Sequence, residues 1–104
     1  MKTDLKTLRK YKVREVNNPE ALSVKGYRVL FDDFKDFEFF VHRNNDGMDT
    51  WWEVSEKTTG CLVSVIIAFN RKDAIKYAHE NLIEKGNDKL REAVKTVIDK
   101  YKEL

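Results

Sequence analysis

Apolar and polar residues alternate with two different periods along this chain, and the change of period divides it into a strand-rich part and a helical part. Thr50 to Gly60 reads TWWEVSEKTTG. Successive side chains of a strand point to opposite faces, so Trp51, Glu53 and Ser55 fall on one side and Trp52, Val54 and Glu56 on the other. The two indoles are therefore not neighbouring platforms. Trp52 and Val54 are expected to face a core, with Trp51 half exposed beside Glu53. Phe37 to Arg43 also alternates, placing Phe37, Phe39 and Val41 on one face. Between these runs lies Asn44-Asn45-Asp46-Gly47. Asp-Gly tolerates the positive φ of a tight hairpin, so the flanking strands are predicted to pair. Lys57-Thr58-Thr59-Gly60 reads as a second turn, with Gly60 suited to positive φ. Cys61 to Phe69 is then expected to return as a largely buried, central strand.

Towards the N-terminus, Thr3-Asp4 before Leu5 and Leu8 predicts a short helix with Thr3 as its cap. Tyr11 to Val16 follows as a strand, Asn17-Asn18-Pro19-Glu20 as a turn, and Val24 to Phe31 as a strand with Gly26 near its start. Asp32 to Asp36 turns the chain. Beyond Phe69 the period lengthens. Asn70 is placed to cap a helix, with Asp73 reaching back as a variant capping box. Ala74, Ile75, Ala78, Leu82 and Ile83 form its stripe, and Gly86 ends it. Asn87 or Asp88 caps a second helix with Leu90, Val94, Val97, Ile98, Tyr101 and Leu104 on one face. That face suits the sheet, the preceding helix or a second copy of the chain. The fold expected is a single α+β domain over residues 1–104: an antiparallel four- or five-stranded meander, two C-terminal helices packed on one face, and a short N-terminal helix.

Composition fits a globular chain of 104 residues, 41% hydrophobic and 37% charged. The segment Met1 to Val16 is charged throughout, without the apolar core of a signal peptide, and the apolar run Cys61–Phe69 is too short to span a bilayer. A cytoplasmic protein without membrane attachment is expected. The lone Cys61 belongs to no zinc or redox spacing and is expected buried at a strand start. Charge is segregated: residues 1–30 carry eight basic groups against three acids (+5), 31–70 three against eight (−5), and 71–104 nine against seven (+2). Such a dipolar arrangement steers partners, or simply reflects solvated faces.

Candidate chemistry is sparse. His42 and His79 show no metal-ligand spacing, and the carboxylates Asp32, Asp33, Asp36 and Glu38 lack the loop spacing and glycine of a calcium site. No phosphate loop, GxSxG or HExxH is present. The chain is read as a non-enzyme with no cofactor. Phe34, Phe40, Trp51, Tyr27 and Tyr77 cannot all fit beneath one helix layer. A sheet face left uncovered would display some of them beside Glu38, His42 and Glu53, as protein-binding patches do, unless the N-terminal helix covers it.

Two resemblances add to this reading. Trp52 to Leu82, with W-x-V-S-E-x-x-T-G followed by a helix opening near K-x-A-I, resembles small accessory proteins of bacteriophages and mobile elements. That resemblance implies a genomic setting, and some phage proteins of this size inhibit host or defence machinery. A helix, several strands and a second helix opening with Arg71-Lys72, then Ala74, Ala78 and Leu82, is similar to the double-stranded RNA-binding domain. The chain departs from that family in lacking a GPxH loop and in carrying Asp73 and Ile75 within the basic cluster. The function expected is binding, and inhibition, of a host or defence protein (a CRISPR nuclease, for example) through Asp32, Asp33, Asp36, Glu38, Trp51 and Glu53. One alternative is nucleic-acid binding through Lys6, Arg9, Lys10, Lys12, Arg14, Arg71 and Lys72. Another is a homodimer through the last helix.

Overall fold

The computed structural model describes residues 2–14, 20–46, 49–64 and 67–102. Within them, β1 (Asp4–Arg14), β2 (Ala21–Val29), β3 (Phe39–Asp46) and β4 (Asp49–Glu56) precede one long helix, α1 (Arg71–Tyr101), with a 3-10 turn at Asp32–Phe34 between β2 and β3. All neighbouring strands pair antiparallel in the order β1-β2-β3-β4. The fold class is α+β, as the periodicities predict.

The β3–β4 hairpin has the expected pairing. Its register runs from Phe39 opposite Glu56 to Asp46 opposite Asp49, leaving two residues in the connection. Gly47, on which the predicted tight turn rests, lies outside the described residues, as do Val16, Asn17, Asn18, Pro19 and Leu104. The alternation assigned to the tryptophans also holds. Val54 joins Val29, Phe39 and Val41 in a buried cluster with Ala74, Ala78 and Leu82 of α1, and Trp52 packs against it. Phe34 closes the same core, and Tyr27 and Tyr77 lie at its margin. Asn70 caps α1 by accepting the Asp73 amide at 2.8 Å, while its own Nδ2 donates to the Asp73 carboxylate at 3.1 Å.

Three expectations are corrected. No N-terminal helix forms, because residues 4–14 are β1. A segment with only Leu5 and Leu8 for an apolar stripe is too short to hold a helix unaided, whereas β2 offers a hydrogen-bonded ladder. Thr3, expected as the cap, and its neighbour Asp4 act otherwise. Thr3 Oγ1 accepts the Leu30 amide at 2.7 Å and donates to the Leu30 carbonyl at 3.0 Å. The Asp4 carboxylate accepts the Lys6 and Thr7 amides at 2.9 and 3.2 Å, folding a bulge into β1 where the register jumps between Asp4 and Arg9. Those bonds, from Lys6 first, hold the Asp4 carboxyl down to about 2.

The two C-terminal helices are one element. At Gly86, φ +82° and ψ 166° turn the axis with no intervening loop. Only glycine adopts that backbone without strain. Asn87, expected as a cap, instead donates its side-chain amide to the Asp33 carbonyl at 2.8 Å. Ile83, placed on the buried stripe, stands exposed.

Cys61–Phe69 is not a central strand. It follows the outer edge of β4 through isolated bridges, Leu62 to Ser55 and Ala68 to Trp52. The Val63 amide also donates to the Val54 carbonyl at 2.9 Å. Within the segment Ser64 and Ala68 are buried, while Leu62, Ile67 and Phe69 are exposed and Cys61 is half-buried. Val65 and Ile66 lie outside the described residues.

The sheet face turned away from α1 is covered as well, and by the sheet itself. Phe40, His42 and Ser55 point to that face, yet all three are buried. Arg14 closes β1 at the end of the sheet away from the Lys57–Gly60 turn, but its amide donates to the Gly60 carbonyl at 2.8 Å. Both facts require the distal half of the β1–β2 hairpin to arch over β3 and β4. Tyr11 then lies flat on Phe40, with ring centroids 4.2 Å apart and planes 1° from parallel, and its hydroxyl reaches Glu38 at 3.4 Å. Gly26 permits the bend, since a Cβ there would stand 2.7 Å from the Val41 carbonyl oxygen on the concave side. Gly26→Ala is therefore expected to destabilise the fold by about 1–3 kcal/mol through overpacking, read as a lower urea midpoint at unchanged m-value.

Candidate binding surfaces

The TWWEVSEKTTG stretch is resolved by its turn. Glu56 is almost wholly buried. Its carboxylate accepts the Thr58 amide at 2.7 Å and both the amide and hydroxyl of Thr59 at 2.9 Å. The Gly60 amide closes back on the Glu56 carbonyl at 2.8 Å with φ +71° at Gly60. Thr59 Oγ1 then accepts the Cys61 amide at 3.2 Å. A buried carboxylate is tolerable when its lone pairs are satisfied in this way. The S-E-x-x-T-G spacing therefore encodes a self-capped turn, and Glu56 is a residue whose role the strand pattern alone does not reveal.

Ser55 and His42 form the pair nearest to a catalytic arrangement, with His42 Nε2 2.9 Å from Ser55 Oγ on adjacent strands. They are 2% and 3% exposed, beneath the arched hairpin. A nucleophile must meet substrate, and this hydroxyl meets the protein interior, so the bond is structural. Burial drives the His42 pKa down, with Glu53 and the Arg43 carbonyl opposing more weakly.

The predicted acidic and aromatic set is brought together only in parts, and most of its members have partners within the chain. Asp33 receives His79 Nε2 at 2.8 and 2.9 Å, and Asp36 meets Arg91 at 2.9 Å, so both are tied to α1. His79 itself stacks on Phe31, centroids 4.5 Å apart. Glu38 lies 3.5 Å from Arg28 and 3.7 Å from Lys57. Glu53 accepts the Trp51 indole N–H at 2.7 Å and the Asn44 amide at 2.9 Å. Asp32 stands exposed. Glu38, Trp51 and Glu53 belong to the hairpin side of the sheet, whereas Asp33 and Asp36 line the junction with α1.

The predicted basic set divides by residue type. The arginines are brackets. Arg9 pairs with Asp4 at 3.4 Å. Arg14 is buried, 5.1 Å from the Tyr101 ring, with Nη1 on the Lys102 carbonyl at 3.4 Å. Arg71 donates to the Leu5 carbonyl at 2.8 Å and lies 4.8 Å from the Tyr27 ring and 5.9 Å from that of Trp52. Arg43, at 5.0 Å, also lies over Trp52. Planar guanidinium over indole fits this role better than an ammonium would. The lysines Lys6, Lys10, Lys12 and Lys72 are exposed. Lys25, outside the predicted set, joins Lys10 and Lys12 on the outer face of the hairpin.

A third surface lies along β4 and α1. Between the segment after β4 and α1 lies a cleft of about 540 Å³, counting its open mouth, whose apolar lining includes Leu62, Val63, Leu82, Leu90, Val94 and Val97. The Asn81 side chain bonds the Val63 carbonyl and ties the outer segment to the helix. Among the described residues there is no group of three or more metal-ligating side chains, and no helix is long and apolar enough to cross a membrane. No family model matches the chain, and neither the curated proteins nor the solved structures compared with it yield a match.

The buried His42 gives a signed pH dependence. Its folded-state pKa lies below the ordinary 6.5, so the unfolded chain binds the proton more readily. Stability from this residue is full above pH 6.5 and is lost as the pH falls from there towards the lowered folded value. In His42→Gln, which retains a partner for Ser55, the decline in urea midpoint between pH 7 and 5 is expected to be shallower than in the wild type.

Proposed function

We propose that this chain is a non-catalytic binding protein of the small phage or mobile-element type, which docks on a host or defence protein through the apolar strip beside β4. One observation carries the reading. Ala68 is buried against Trp52, while its neighbours Ile67 and Phe69 stand 55% and 80% exposed. Burying a phenylalanine side chain is worth about 1.5–3 kcal/mol, and Leu62 extends the apolar surface along the same segment. Apolar side chains gathered on one exposed segment are characteristic of docking sites. The Trp52 amide bond to the Ala68 carbonyl, at 2.8 Å, fixes the backbone between the two anchors, so docking orders little. Asp33, Asp36, Glu38, Trp51 and Glu53 have partners within the chain, and Asp32 is exposed. The phage setting is supported by the Trp52–Gly60 pattern, the binding role by the strip.

A photo-crosslinking phenylalanine analogue at position 69, activated in a bacterial host, is expected to give one dominant heterologous adduct. With that partner purified, Phe69→Asp should weaken binding tenfold or more, about 1.4 kcal/mol, without lowering the melting temperature. Self-adducts alone would assign the strip to a homodimer, and unchanged binding by Phe69→Asp would refute the reading.

A further inference from the structure

We propose a second site: the outward face of the β1–β2 hairpin, with Lys10, Lys12 and Lys25, binds the phosphate backbone of duplex nucleic acid. In the hairpin register Lys10 stands directly opposite Lys25, and Lys12 opposite Ser23. Residues two apart on a strand share a face, so the three ammonium groups point to the same side. All four of these side chains are exposed. No Asp or Glu occupies this face between Lys10 and Arg14 or between Ala21 and Lys25. Glu20 flanks its end.

Three arguments separate this patch from an ordinary solvated face. First, the lysines cannot rotate inward. The opposite side of the hairpin is fixed by Tyr11 stacked on Phe40 and by the Arg14 amide on Gly60. Second, like charges directly opposite on neighbouring strands repel. Lysine on an exposed edge guards against strand addition, which accounts for Lys10 and Lys12 on β1 but not for Lys25 on the inner strand β2. An anion between the strands removes that repulsion. Third, three acids of the meander that would repel a phosphate are engaged within the chain: Asp33 by His79, Asp36 by Arg91, and Glu38 by Arg28 and Lys57.

The face also defines what it reads. Among the described residues of β1 and β2 it carries no open aromatic side chain, because Tyr11 points inward and Tyr27 lies beneath Arg71, and Tyr101 at the Arg14 end is engaged by that guanidinium. Bases therefore find no stacking platform. Lysine contacts to phosphate position a protein without conveying sequence. The expected ligand is a duplex backbone bound without sequence preference. The site uses neither Arg71 nor the first turn of α1, and it shares no residue with the Ile67–Phe69 strip.

The test is fluorescence anisotropy of the full chain against labelled DNA duplex and RNA duplex across a salt series, with an acidic peptide as competitor. Three phosphate contacts predict a log–log salt slope of roughly −3 on DNA, with dissociation constants of about 10⁻⁶–10⁻⁴ M. Each single lysine-to-alanine change should lessen the slope by about 1. Lys10→Glu/Lys12→Glu/Lys25→Glu should abolish binding, whereas Lys95→Ala, on the exposed side of α1, should leave the slope at the wild-type value. Lys25→Glu alone, which converts the repelling pair into an attractive one, should weaken binding while melting no lower than wild type. The DNA and RNA arms distinguish the two duplexes. Absence of binding at low salt, binding indifferent to the triple reversal, or equal affinity for the acidic peptide would each overturn the proposal.

Discussion

The arch of the β1–β2 hairpin over its own sheet rests on one pair of contacts, the Tyr11 ring lying on Phe40 and the Arg14 amide on the Gly60 carbonyl. A four-stranded antiparallel sheet with one helix layer ordinarily leaves its other face to water. Here the end of β1 meets the turn that follows β4, so that face becomes a second, smaller core. Stacked aromatic pairs add about 0.5–1.5 kcal/mol beyond their area, but the larger gain is the apolar surface they close over. The His42–Ser55 bond is dry because of this closure, and Lys10, Lys12 and Lys25 face outward for the same reason.

The two cores meet at the Glu56–Gly60 turn. Glu56 belongs to the helix side by alternation, yet its carboxylate holds the Thr58 and Thr59 amides that bring Gly60 to Arg14. Just beyond it the chain runs along β4 and into α1, leaving Ile67 and Phe69 outside. The same short turn thus joins the hairpin arch to the apolar strip. Electrostatics follow the architecture. Asp33 of the 3-10 turn and Asp36 just after it are drawn to His79 and Arg91, so part of the segregated charge seen in the sequence is internal pairing, while Lys10, Lys12 and Lys25 stay outward.

Much of the helix-side core was legible in the sequence because it depends on local periods. Alternation separated Trp51 from Trp52, Asp46-Gly47 marked the β3–β4 hairpin, Asn70 marked the start of α1, and Gly60 adopted its positive φ. The errors have physical causes of a different kind. Leu5 and Leu8 show a helical spacing, but strand pairing with β2 overrides so short a stretch. Gly86 carries a helix-end signal and its backbone does leave the helical region, but the helix resumes at once with no loop between, so α1 is one kinked element. Cys61–Phe69 is apolar enough for a central strand, but no further strand exists among the described residues to pair with its outer side. The arch itself has no local signature beyond Gly26, since it arises from contacts between residues some 46 positions apart, such as Arg14 and Gly60. The acidic set was identifiable as a group of charges, but its partners His79 and Arg91 lie on α1, out of reach of any local pattern.

The arch is tested most directly by amide hydrogen exchange combined with nuclear Overhauser measurements on the isotopically labelled full chain. The structure predicts that the Arg14 amide exchanges as slowly as the β3–β4 ladder amides, and that the Tyr11 and Phe40 rings show direct cross-peaks. An Arg14 amide exchanging at the rate of an open strand edge, with no contact between those rings, would contradict it.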